Sequence, residues 1–250
     1  MSTSKLEQAD QLKARLHRLR PLPSDVVAEL RQRYMVKFTY NSNAIEGNTL
    51  TQSETEMVLE RGITVGGKTL VEHLEVIGHR DAIALIEELT QSKTLVRVYE
   101  IRQIHALIMG AISREEAGQY RRILVQSAGT GYVYPAPGLL EGLMAEFVDW
   151  LTAPSTLHPL EFATEAHLRF VSIHPFRDGN GCTGRLLMNL LLMQTGFPIV
   201  VIPNARRLDY INAIVAYQQQ QMGVAPLLDL VIDGAIESLN QTLEVVESFY

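Results

Sequence analysis

The stretch "IHPFRDGNGCTGRLLMNLLLMQ", residues 173–194, decides how the chain is read. It sets a histidine, an aspartate, an asparagine, two arginines and several glycines directly before an apolar run. Pro175 disfavours helical backbone at the residue before it. The helix that carries Ala163, Ala166, Phe170 and Ile173 on one face is therefore expected to stop at His174. A second helix is expected to begin near Thr183 or Gly184. The loop between them has the parts that bind a polyphosphate. Gly179, Asn180 and Gly181 let backbone N–H groups approach anionic oxygens closely, and the following helix N-terminus adds donors and a favourable dipole. Arg185, expected in the first turn, can bridge two phosphate oxygens. Asp178 is the hard oxygen ligand that Mg²⁺ uses beside phosphates. His174, with an ordinary pKa of ~6.5, suits proton abstraction at neutral pH. Phosphoryl or nucleotidyl transfer to a hydroxyl needs this set. Taken alone, "DGNG" is also a turn signal that a ligand-free connection can use, and a lone histidine is more often packed or capping.

Two other readings of the loop fail by spacing. "GNGCTGRL" nearly matches the Walker A pattern, but Arg185 stands in place of its lysine and Leu186 in place of its Ser/Thr. An EF-hand loop opening at Asp178 needs Gly at its sixth position and Glu at its twelfth, where Thr183 and Asn189 stand.

Outward from the loop, most of the chain reads as helix. Ser24 is expected to N-cap a helix that runs toward Ile45 and stops at Gly47. Thr51 with Glu54 fits a capping box, and Gly62 would close that helix. Ile101, Ile104, Ile108 and Ile112 recur at helical spacing, as do Leu140, Met144, Phe147 and Leu151. Leu228, Ile232, Ala235, Leu239, Leu243 and Val246 form a long stripe near the end. "YRRILVQSAGTGYVYPAP" differs, with a β-type run on each side of Gly129-Thr130-Gly131, and reads as a hairpin. The chain is thus expected to be all-α, a helical bundle with one small β-hairpin. Residues 91–94 could divide an N-terminal helical portion from the rest.

The 250 residues can bury a full core, and 46% of them are hydrophobic. The net charge of −6 argues against a nucleic-acid surface. Cys182 is the only cysteine, which excludes an intramolecular disulfide and a cysteine-based zinc site. The polar N-terminal segment lacks a signal-like apolar stretch, and no segment approaches the ~20 apolar residues that span a bilayer. A cytoplasmic protein without membrane contact is expected. His73, His79, His105, His158 and His167 show no metal-type pairing and are expected to be surface or packing residues.

Taken whole, residues 174–185 resemble the signature of the Fic (Fido) family, His-x-Phe-x-(Asp/Glu)-Gly-Asn-Gly-Arg-x-x-Arg. His174, Phe176, Asp178, Gly179, Asn180, Gly181 and Arg185 match it in order, and Cys182 departs from it at the first arginine. "AGQYR", residues 117–121, resembles the Gly-x-Tyr/Phe-Arg that leads into the family's flap. "SNAIEG", Ser42 to Gly47, is similar to the inhibitory motif (Ser/Thr)-x-x-x-Glu-(Gly/Asn) of its N-terminally inhibited class. The resemblance spans residues 40–217. It divides the chain into an N-terminal helical region (1–94) with the motif at 42–47, a Fic core (95–237) and the end of the last helix (238–250).

The resemblance implies a protein adenylyltransferase that moves AMP from ATP to a Ser, Thr or Tyr hydroxyl of a target protein. By it, His174 is the general base and Asp178 holds Mg²⁺. Gly179, Asn180 and Gly181 cradle the phosphates, within a nucleotide-binding run that continues through Cys182, Thr183, Gly184 and Arg185. Arg185 takes the γ-phosphate, and Phe176 packs the loop onto the core. Ser42 and Glu46 share a helix face. Glu46 pairs with Arg185 and inhibits, and Gly47 completes the motif. The target docks at the flap, about 121–135, and a homodimer is compatible with the family. Tyr210 and Tyr217 either line an adenine pocket or belong to the core. Cys182 leaves three alternatives: a weakened enzyme, a relative that uses another donor or removes AMP, or a nucleotide-binding protein without catalysis.

Overall fold

The computed structural model describes residues 2–127 and 131–249. Ten α-helices are formed among them: α1 (Ser2–Arg18), α2 (Ser24–Glu46), α3 (Gln52–Arg61), α4 (Leu70–Gln91), α5 (Val98–Met109), α6 (Leu140–Thr152), α7 (Pro159–Ile173), α8 (Asn180–Gln194), α9 (Arg207–Gln218) and α10 (Ala225–Glu247). The all-α expectation holds. Helix α8 lies at the centre, packed by α2, α4, α5 and α7. Leu186, Leu187, Met188, Leu190 and Leu192 are all buried, so its apolar residues face every direction, as a central helix requires. Gly184 sets the approach of α7: a Cβ there would meet His167 at 2.9 Å and Val171 at 3.1 Å.

Local chemistry explains most helix ends. Thr51 and Glu54 form the expected capping box, and Gly62 closes α3 with φ +62°. Thr69 and Glu72 form a second box at α4 that sequence reading passed over. Ser24 is not a cap: Pro23 holds that place with no side-chain bond, and Ser24 is the first helical residue. Proline's fixed φ sets the helix entry there without a capping oxygen. Helix α2 ends at Gly47, whose φ of +105° favours glycine. Helix α8 starts at Asn180, three residues before Thr183, because Gly179 takes φ +72° and acts as its cap. Arg185 consequently lies in the second turn of α8, not the first.

One core runs through both sides of the anticipated division near residue 94. Phe38, Ile45, Ile83 and Ile86 from the N-terminal part belong to the same buried cluster as Ile104, Phe170, Leu187 and Leu239. Among the described residues the two β-type runs form no strand. They meet in a single antiparallel bridge, Gln126 with Val133, supported by Ser127 N–H donating to Tyr132 O at 2.9 Å. Two runs with no third strand beside them have little to hold a longer ladder. Ala128, Gly129 and Thr130, in the anticipated turn, lie outside the described residues.

Candidate active site

His174 ends α7 in the left-handed region (φ +50°, ψ 58°), with its N–H donating to Phe170 O. Pro175 forbids the next helical turn, and the strained backbone turns the imidazole out of the helix. Its Nδ1 lies 3.4 Å from Val171 O. A carbonyl only accepts, so the ring proton belongs on Nδ1 and Nε2 keeps its lone pair. Tyr134 stacks on the ring with centroids 4.0 Å apart. Burial holds the histidine down to about 4, so it is a neutral base at pH 7.

Phe176 is fully buried and stacks on His105 at 3.6 Å and 5°, which fixes the loop as expected. His105, expected as a surface or packing residue, is buried and also joins two segments. Its Nε2 lies 3.0 Å from Asp178 O, and its Nδ1 accepts from Gly118 N–H at 2.9 Å. Nothing in the sequence separates it from the buried Ile101–Ile104–Ile108 face on which it sits. Arg121, from the "AGQYR" stretch, has a larger part than its pattern suggested. Nε donates to His174 O, Nη1 to Ile123 O and Nη2 to Pro135 O. One guanidinium therefore ties both limbs of the segment at 121–135 to the histidine loop.

The Asn180 side chain faces inward. It accepts from Phe176 N–H at 3.0 Å and donates to Phe176 O at 2.9 Å, closing the loop on itself. What remains open to an anion is the helix start at Gly179–Gly181, with the exposed Asp178 carboxylate beside it. Asp178 Oδ1 accepts from Gly179 N–H at 2.7 Å. Thr183 and Gly184 lie on the buried side of α8, away from that start. No group of three or more His, Cys, Asp or Glu that could hold a metal ion occurs among the described residues.

Arg185 and Glu46 meet at the same place. Arg185 is only 1% exposed, and its Nη2 lies 2.7 Å from Glu46 Oε1, whose side chain is 47% exposed. Nε donates to Ser42 Oγ at 3.0 Å, Nη2 to Ser42 O at 2.8 Å and Nη1 to Tyr210 Oη at 3.0 Å. Burial opposes the charge, but Tyr210 and Glu46 more than offset it and keep the guanidinium protonated. The carboxylate occupies the space over Gly181: a Cβ there would fall 2.0 Å from Glu46 Oε1. An anionic group thus already sits at the N-terminus of α8, on the arginine, where glycine leaves room for it.

Cys182 lies on the inner side of this pair. Its side chain is 5% exposed and turned into the α2–α8 contact, with Ser42 Oγ at 3.6 Å, Asn43 Oδ1 at 3.7 Å and Arg185 Nη2 at 3.4 Å. Burial pushes the thiol up to about 11, so it stays protonated. The early start of α8 turns position 182 toward α2, where Sγ lies beside the same Nη2 that meets Glu46. Tyr210 is likewise in the core against Arg185. Tyr217 instead lines a concavity of about 490 Å³ with Ser172 and Gln218, whose Oγ and Nε2 are buried without a partner.

Residues 95–192 match the Fic/DOC family. The chain carries a Fic domain. The protein adenylyltransferase Fic of Nematostella vectensis is 45% identical over 174 residues, which are 68% of this chain and 40% of that protein. The chain spans less than half the length of the curated relatives it matches. A Fic domain containing signaling protein from Bacteroides thetaiotaomicron superposes with a TM-score of 0.88 at 27% identity, covering 96% of this chain and 97% of that one. Fic-1 from C. elegans gives 0.87 at 29% identity, over 100% of this chain and 74% of that one. No helix among the described residues is long and apolar enough to cross a membrane.

Four histidines of the Fic domain and its flanking helices give a testable pH dependence. Burial lowers His79 to about 3, and His105, His167 and His174 each to about 4, from an ordinary value near 6.5. Between pH 6.5 and 4 the unfolded chain binds protons that the folded chain refuses. Stability is therefore complete above pH 6.5 and falls as pH is lowered. Urea unfolding at pH 7, 6 and 5 is expected to show an uptake of roughly two to four protons on unfolding near pH 5. A flat profile would contradict the burial of these rings.

Proposed function

We propose that the chain is a protein adenylyltransferase whose own α2 holds it back. The observation that carries the reading is the Glu46 carboxylate seated on Arg185 over Gly181, beside a neutral His174 on the same loop. A triphosphate needs that arginine and that space, and the carboxylate excludes it by occupying one and neutralising the other. The fit to a nucleotide rests on the space over Gly181 that Glu46 now fills, the start of α8 and the concavity at Tyr217. That concavity is lined by Tyr217, Ser172 and Gln218, with Met222 and the tyrosine ring as its apolar part.

In this reading His174 Nε2 takes the proton from a target hydroxyl as its oxygen attacks the α-phosphorus. The bond from α-phosphorus to the bridging oxygen breaks, and pyrophosphate leaves. Asp178 is a single exposed carboxylate, which suits a cation that draws its other ligands from phosphates and water; Mg²⁺ would neutralise phosphate charge there. The flap at 121–135 offers backbone groups for a target segment to pair with, as a hairpin edge would. Ile123, Leu124 and Val133 are exposed on it, and Arg121 anchors it to the catalytic loop. The experiment is intact-mass measurement of the Glu46→Gly chain after incubation with ATP and Mg²⁺. An added AMP that localises to a hydroxyl side chain supports the reading; ATP consumption without an adduct on the chain or an added protein counts against it.

Cys182, where an arginine is expected, favours a weaker enzyme but not through a lost phosphate contact. An arginine placed at 182 must displace Asn43 or α2 itself. Cys182→Arg is therefore expected to lower the melting temperature by roughly 2–12 °C and to raise self-modification in the otherwise unaltered chain by loosening the Glu46 clasp. A faster rate with no loss of stability would return position 182 to the phosphate shell.

A further inference from the structure

The third nitrogen of Arg185 has a partner outside α2. Nη1 donates to Tyr210 Oη, and that oxygen lies 2.9 Å from His167 Nε2. All three side chains are buried. Arginine only donates, so Tyr210 accepts from it and has one proton left to give. His167 Nε2 can accept it, which places the ring's own proton on Nδ1, a buried atom without a hydrogen-bond partner. Each tautomer of His167 leaves one buried proton without a partner, Nδ1–H in the first and the tyrosine O–H in the second, and in both the Tyr210 oxygen is held between Arg185 and His167. Burial keeps both groups in the required state, with His167 neutral and Tyr210 pushed up to about 12.

The holders of Arg185 fall into two sets. Ser42 and Glu46 belong to α2, the element that carries the inhibiting carboxylate. Tyr210 belongs to α9 and His167 to α7, and neither has to move when α2 does. We propose that Tyr210, oriented by His167, is a positioning residue for Arg185, which keeps the guanidinium aimed at the outer phosphates of the nucleotide after Glu46 has left. The proposal rests on the reading of Arg185 as a phosphate ligand. It adds that this arginine is preorganised from the core side, so that release of Glu46 exposes a fixed cation and not a mobile one. A fixed donor needs no ordering when the ligand arrives, which is where its contribution to affinity comes from.

The test titrates a nonhydrolysable ATP analogue with Mg²⁺, and separately AMP, into the Glu46→Gly chain and into the same chain with Tyr210→Phe. The substitution removes one oxygen and keeps the ring. Analogue affinity is expected to fall about tenfold, AMP affinity to stay within about threefold, and the KM for ATP to rise by a similar factor with kcat less affected. His167→Gln retains an acceptor and is expected to bind like its parent, whereas His167→Leu is expected to follow Tyr210→Phe. Because a buried leucine at 167 could unfold the chain, the Nε–H resonance of Arg185 gives a second readout. It should be sharp in the Glu46→Gly chain and broadened by Tyr210→Phe. Equal losses for analogue and AMP would make the tyrosine a structural residue only, and unchanged analogue affinity would show that Arg185 does not need it; either overturns the proposal. A Glu46→Gly parent that binds AMP but gains nothing from the outer phosphates, or binds neither ligand, would overturn the reading of Arg185 itself, and the proposal with it.

Discussion

In the Glu46→Gly chain, a second substitution of His174→Ala is expected to cut AMP transfer by about 10²- to 10⁴-fold while ATP affinity changes by less than about threefold. The asymmetry follows from where the imidazole sits. His174 is at the end of α7, with Nδ1 directed to Val171 O and Nε2 left as a free acceptor. The start of α8 and Arg185, which carry the charge complementarity to phosphate, are separate groups that the substitution does not touch. The acid limb of the rate profile should report the histidine. Burial holds it to about 4, so transfer stays constant from pH 7 to 5 and falls only as the base becomes protonated near pH 4. Equal losses in binding and transfer would show that alanine had disturbed the loop and not removed a base.

Glu46→Gly alone is expected to raise self-modification by about ten- to a hundredfold, and Arg185→Ala in the same chain to cancel the gain. A hydrogen bond to a charged group contributes about 1.5–3 kcal/mol. The Glu46 side chain is 47% exposed, so screening by solvent places the clasp toward the lower end of that range. Displacing it does not strand a bare buried cation, since Arg185 keeps Ser42 Oγ, Ser42 O and Tyr210 Oη. The fold should therefore tolerate Glu46→Gly, and its melting temperature is a useful control. Glycine at the end of α2 joins an existing glycine terminus at Gly47, where the chain already leaves the helix.

The sequence carried the site further than it carried the surroundings. His174, Phe176, Asp178 and Arg185 were legible because each lies at a fixed step along one loop, and a loop's chemistry is local. Glu46 was legible through the resemblance of Ser42–Gly47 to the family's inhibitory motif, although 139 residues separate it from Arg185. The register of α8 was not. Gly179 could have been a loop glycine or a cap, and only its positive φ shows the second, moving the helix start to Asn180. That one shift turns Cys182 toward α2 and Asn180 back onto Phe176.

Other parts were hidden because they depend on tertiary partners. His105, His167 and Tyr210 sit on apolar helix faces where periodicity predicts burial and says nothing of polar partners. Arg121 was marked by its motif, yet its three carbonyl acceptors come from residues 123, 135 and 174, which only the fold brings together. The β-type runs at 123–127 and 131–135 have the composition of strands but meet in one bridge, since no neighbouring strand among the described residues extends the pairing.

The measurement that reaches the central claim most directly is incorporation of label from ATP carrying a radioactive phosphorus at either the α or the γ position, with the Glu46→Gly chain and Mg²⁺. Adenylyl transfer retains the α-phosphorus and expels the other two as pyrophosphate. The account predicts label from α-labelled ATP on protein hydroxyls, none from γ-labelled ATP, and loss of the α signal in the His174→Ala double variant. Label from the γ position would make the protein a phosphotransferase, and ATP binding without label from either position would leave a nucleotide-binding protein without the proposed chemistry; either result contradicts it.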